Sequence, residues 1–70
     1  MRRREILKRI AAQAKAGGVT WEVHREGANH TIYRLGSTTI PVPRHSEIGP
    51  GLSEEIFKQC ESELGESWWR

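Results

Sequence analysis

Pro41 and Pro43 stand two residues apart in a stretch, Thr38 to Pro43, that otherwise reads as a strand. Proline has no backbone N–H to give to a ladder, and residues two apart in a strand aim their amides at the same side. Such a strand tolerates a neighbour on one side only, so the segment predicts a sheet edge. Two other runs can complete the sheet. Val19 to Glu26 alternates, with Val19, Trp21 and Val23 in one row and Thr20, Glu22 and His24 in the other. A second run spans about His30 to Leu35, after the turn chemistry of Gly27-Ala28-Asn29. Gly36-Ser37 then forms a two-residue turn of the kind that closes tight hairpins. The expectation is a three-stranded antiparallel meander in order 1-2-3, with Ile40 and Val42 sharing a face.

Helical periodicity flanks this sheet. Ile6, Leu7, Ile10, Ala11 and Ala14 recur at helical spacing between Arg2 and Ala16, and Gly17-Gly18 follows as a left-handed stop. This predicts a helix over about residues 2–16. Gly49-Pro50-Gly51 breaks the chain before a last helix, with an apolar stripe of Leu52, Ile56, Phe57, Cys60 and Leu64. Ser53-Glu54-Glu55 is expected near its N-terminal end, where acid suits the dipole, and Gly65 is expected to end it. Both stripes need cover, which places both helices on one sheet face. The predicted class is α+β, in the order α-β-β-β-α.

Seventy residues suit one domain over 1–70, with a small core. No apolar run approaches the roughly 20 residues a membrane span needs, and one cysteine, Cys60, excludes an internal disulfide. The expected location is a reducing cytoplasm. Charge is uneven. Residues 1–35 hold eight Lys or Arg against three Glu, a net of +5, while residues 36–70 hold three against six, a net of −3. A basic half fits a polyanionic partner, and it equally fits a solvated helix face.

Candidate chemistry rests on three histidines, the side chains that ordinarily transfer protons near neutral pH. His24 falls in the polar row of the first strand, and His45 follows Pro43-Arg44 at a strand end. His30 leaves a glycine-containing turn, where backbone can approach a ligand closely; it could equally close the hairpin with a hydrogen bond. No zinc-ligand spacing is present, and no serine lies in a nucleophile elbow. Cys60 sits on an apolar stripe and reads as a small buried thiol.

The stretch Arg25-Glu26-Gly27-Ala28-Asn29-His30-Thr31-Ile32-Tyr33-Arg34, followed by Thr39-Ile40-Pro41-Val42-Pro43-Arg44-His45 and Glu47-Ile48, resembles the HicA (YcfA-like) toxins of bacterial type II toxin–antitoxin systems. The resemblance covers almost the whole chain. Its most specific pieces are the glycine turn leading to His30, the aromatic Tyr33 and the Pro43-Arg44-His45 string. Many members carry Gly-Ser where this chain has Ala28-Asn29.

That resemblance implies a double-stranded-RNA-binding-domain-like fold and a metal-independent ribonuclease that cleaves mRNA without a small-molecule cofactor. It also implies neutralisation by a HicB-type antitoxin and a catalytic role for His30. RNA contacts are expected from Arg25, Asn29, Arg34 and Arg44, with Arg3 and Lys8 on the basic first helix adding backbone affinity. A non-catalytic RNA-binding module of the same fold is the alternative, and a plain antitoxin-binding domain a third. Strand parity stays open: either Ile32 faces the helices and His30 and Arg34 share that face, or Tyr33 and Leu35 do and His30 points to the open side with Arg34. Trp68 and Trp69 either pack back onto the core or anchor a partner.

Overall fold

A computed structural model describes all 70 residues. The order is α1 (Arg3–Gly17), β1 (Trp21–Glu26), β2 (His30–Leu35), β3 (Thr38–Pro43), α2 (Pro50–Gln59) and a last turn α3 (Glu61–Leu64). The strands form one antiparallel sheet in the order β1-β2-β3. The two prolines therefore sit on an edge strand, as their missing donors require.

The helix α1 buries Ile6, Ile10 and Ala14, and it stops where Gly18 adopts the left-handed conformation at φ 69°. That geometry sends the Gly18 and Val19 amides back to the carbonyls of Lys15 and Ala14. A ten-residue core joins the α1 stripe to Leu35, Ile40, Val42 and Ile48 and to Ile56, Phe57 and Cys60. Each fully buried Ile contributes about 1.5–3 kcal/mol of transfer free energy, so a few side chains carry a domain this small.

The last helix differs from its expectation at both ends. It begins at Pro50, with Gly49 as N-cap, so Ser53 closes the first turn and no acidic residue lies in that turn. Proline presets the helical φ and loses nothing at a position whose N–H has no partner, which moves the start upstream. Ser53 is buried and donates its hydroxyl to the carbonyls of Gly49 and Ile48, at 2.9 and 3.2 Å. It takes the inward place, and Leu52 is left 46% exposed. At the other end the helix is not continuous to Leu64. The Cys60 amide bonds three residues back to Phe57, a tightened turn that closes α2 before α3 begins. Gly65 then ends the helical path, with φ 100°.

Trp68 and Trp69 pack onto the core. Trp68 meets Phe57 edge-on with ring centroids 5.3 Å apart and donates its indole N–H to the Phe57 carbonyl at 3.0 Å. Trp69 stacks on Phe57 from 5.6 Å and donates to the Glu61 carboxylate. No helix is long and apolar enough to cross a membrane.

Candidate active site

Burial settles which way β2 faces. Thr31 and Leu35 are buried and Tyr33 is half-buried under the helices, whereas His30 and Arg34 are exposed. His30 and Arg34 therefore lie on the open side of the sheet, with Ile32 between them. The His30 imidazole makes no hydrogen bond within the chain, and the His30 carbonyl accepts from the Gly27 amide and the Arg44 guanidinium.

A bulge in β1 decides what stands beside it. Val23 pairs with Tyr33 but Arg25 pairs with Ile32, so His24 is an extra residue between two ladder positions. Without it, His24 would oppose Ile32 and Arg25 would turn beneath the helices. With it, Arg25 moves to the open face and Glu26 moves to the helix side opposite Thr31. Within the expected apolar row of β1, Trp21 stacks on Tyr33 at 4.5 Å, whereas Val23, the last residue in register before the bulge, is 51% exposed. Nothing in the alternation of residues marks the bulge.

Arg25, Asn29 and His30 surround an open depression of about 510 Å³ whose floor is Ile32 and Pro41. The two floor residues are cross-strand partners. Sequence reasoning finds the rim, and it misses the floor because neither residue carries reactive chemistry. Arg34 is on the same face further along the strand, between Glu22 of β1 and Thr39 of β3.

Arg44 stands at the end of the sheet and holds the β1–β2 turn. Its guanidinium donates to the carbonyls of Ala28 at 2.9 Å, of His30 at 3.2 Å and of Gly27, and to the Glu26 carboxylate at 2.9 Å. A planar fork with five donors suits this task, which a point charge cannot perform. Glu26 also accepts from the Thr31 hydroxyl at 2.9 Å, and these two hydrogen bonds hold its carboxyl below the usual carboxylate range, Arg44 first and Thr31 second. Arg3 joins the set from α1, donating to Thr31 at 3.1 Å and to the Pro43 carbonyl at 2.9 Å. Gly27 makes a close approach: a Cβ there would lie 3.2 Å from the His30 carbonyl oxygen, a tight contact that the turn would have to yield to by a few tenths of an ångström.

The expected RNA contacts thus fall into three groups. Arg25, Asn29 and Arg34 share the open face with His30. Arg3 and Arg44 are engaged in holding the sheet end. Lys8 is exposed on α1, which covers the opposite sheet face. His45 is exposed after β3. No three His, Cys, Asp or Glu side chains come together as metal ligands. Cys60 is fully buried, and that burial pushes its thiol up to about 12, out of nucleophilic range.

The family model described as HicA toxin of bacterial toxin–antitoxin matches residues 8–61. The chain belongs to the HicA toxin family. No curated protein and no solved structure matches it. The HicA match runs from the middle of α1 to the start of α3, so it contains the bulge, the turn, His30 and Arg44. Trp68 and Trp69 lie outside it. Membership makes the chain a toxin of a toxin–antitoxin system.

Proposed function

We propose that this toxin is a metal-independent endoribonuclease acting on mRNA, with His30 as its proton-transfer group. The observation that carries the reading is an unengaged imidazole on the open sheet face, beside a guanidinium delivered there by a bulge. The neutral ring takes the proton of a ribose 2′-hydroxyl as that oxygen attacks the adjacent phosphorus. The resulting imidazolium returns the proton to the departing 5′-oxygen, leaving a 2′,3′-cyclic phosphate and a 5′-hydroxyl. Arg25 faces the negative charge that grows on the non-bridging oxygens, and Arg34 adds a second positive charge along the strand.

One positioned histidine supplies about 10²–10⁴-fold, which makes a slow enzyme. Slow cleavage suffices for a toxin, because cut messages accumulate. The partner that restrains it is a HicB-type antitoxin, and a substrate of mRNA goes with a cytoplasmic location. The test compares His30→Ala with the wild type on RNA in the presence of a chelator, and in growth arrest on induction. Loss of cleavage by about 10²-fold or more is expected. Cleavage that survives the substitution would reject His30, and RNA binding without any cleavage by the wild type would leave a non-catalytic binding module.

A further inference from the structure

Positive charge and the His30 imidazole are divided between two layers. His30 and Arg25 face the open side of the sheet, whereas Arg4 and Lys8 project from α1 on the other side. A duplex is a stiff rod on the scale of a molecule 28 × 25 × 16 Å, and it cannot lie on one layer while bending around to the other. A single strand can. The layers meet at the end of the sheet that carries the β1–β2 turn. There Arg2, Arg4 and Ser46 line a cleft of about 290 Å³ beside Arg44. Basic side chains therefore continue from the open face, around the turn, to the start of α1.

The depression next to His30 has a different chemistry. Its floor, Ile32 and Pro41, is apolar, and Asn29 and Arg25 stand at the rim. An apolar floor favours the flat face of a base over a phosphate, and a base offers that face only when it is unstacked. The Asn29 amide carries both a donor and an acceptor, as the reading of a base edge requires.

We propose that Ile32 and Pro41 seat one unstacked nucleobase of single-stranded RNA beside His30, while the strand's backbone leaves around the β1–β2 turn towards Arg2 and Arg4. The seat's place next to a scissile bond rests on the ribonuclease reading; its binding chemistry does not.

The probe is a mixed-sequence octamer of 2′-O-methyl RNA, which lacks the attacking hydroxyl, used as a single strand and as a duplex. Binding to the full chain is read by fluorescence anisotropy across a salt series. The single strand is expected to bind about tenfold more tightly than the duplex. Ile32→Thr and Pro41→Ser together are expected to weaken single-strand binding about tenfold. Arg2→Ala with Arg4→Ala is expected to lower the salt slope by about 0.7 for each phosphate no longer neutralised. Equal or tighter duplex binding overturns the proposal. So does unchanged single-strand affinity in the two seat variants when circular dichroism shows them folded. If the wild type binds as expected yet cuts no unmodified RNA, the seat stands and the ribonuclease reading falls. If it cuts RNA and the seat variants bind as tightly as the wild type, the ribonuclease reading stands and the seat falls.

Discussion

The sheet has two hairpin turns, and they are held in opposite ways. The β2–β3 turn uses its own chemistry: Gly36 adopts the left-handed conformation at φ 59°, and a carboxylate completes the closure. Glu63 accepts from the Thr38 hydroxyl at 2.8 Å, from the Ser37 hydroxyl at 3.1 Å and from the Ser37 amide at 3.4 Å. The β1–β2 turn has no left-handed residue at all. Its carbonyls converge instead on one guanidinium, contributed by Arg44 from beyond β3. One turn satisfies donors with an anion, the other satisfies acceptors with a cation. The difference teaches that the turn presenting His30 is shaped from outside itself, so its geometry can be lost without losing the fold.

The largest expected effect follows from that dependence. Arg44→Ala frees three carbonyls and one carboxylate, and the bend that sets the His30 ring relaxes. A displacement of about 1 Å at a reacting group costs on the order of 10²-fold in rate, so kcat for RNA cleavage should fall by that amount with KM little changed. Arg44→Lys sharpens the comparison. It keeps the charge and loses the fork, so it should fall nearly as far as alanine if Arg44 positions the turn. Near-wild-type kcat in Arg44→Lys would instead make Arg44 a simple phosphate contact. Amide exchange at Gly27, whose N–H bonds to the His30 carbonyl, gives a reading independent of activity. It should quicken in both variants.

Gly36→Ala probes the other turn and reverses the pattern. Alanine in the left-handed region costs about 1–2 kcal/mol, and the new Cβ meets the Glu63 carboxylate. Denaturant unfolding should show that loss of stability, while the rate of RNA cleavage per folded molecule stays unchanged. Equal loss of cleavage would show that the two turns are not independent.

Much of this architecture was legible because it depends on local chemistry. Gly17-Gly18 stops α1, the apolar stripe of α1 lies inward, and the proline pair selects the edge. The parity of β2 was not legible, since Ile32 and Tyr33 are both apolar and only burial separates their faces. The bulge at His24 was hidden for a related reason: alternation counts residues, and a bulge changes that count without any glycine or proline to mark it. Arg44 was visible as a charge near His30, but its attachment to the turn carbonyls depends on how β3 lies against β2. The acid expected near the start of α2 lies beyond its first turn, because Pro50 presets the helical φ and begins the helix three residues before Ser53.

The smallest effect is electrostatic, and its sign is fixed by the two carboxylates. The Thr38 hydroxyl and then the Ser37 hydroxyl hold the Glu63 carboxyl below its ordinary 4.5, just as Arg44 and Thr31 hold that of Glu26. A depressed folded-state value means stability that is fully present above the unfolded value and lost as pH falls through the folded one. Both turns should therefore be insensitive to pH near neutrality and loosen only below about 4.5. Both carboxylates are open to solvent, so the change should be slight and should shrink in salt for Glu26, whose partner is charged. Melting temperatures measured from pH 7 down to pH 3 distinguish the two turns. Glu63→Gln should lie below the wild type at neutral pH and converge with it in acid, at any ionic strength. Glu26→Gln should converge in the same direction, but its gap at neutral pH should narrow as salt rises. A Glu63 gap that also narrows with salt would mean that the β2–β3 turn depends on net charge, and the contrast between the two turns would then be one of degree.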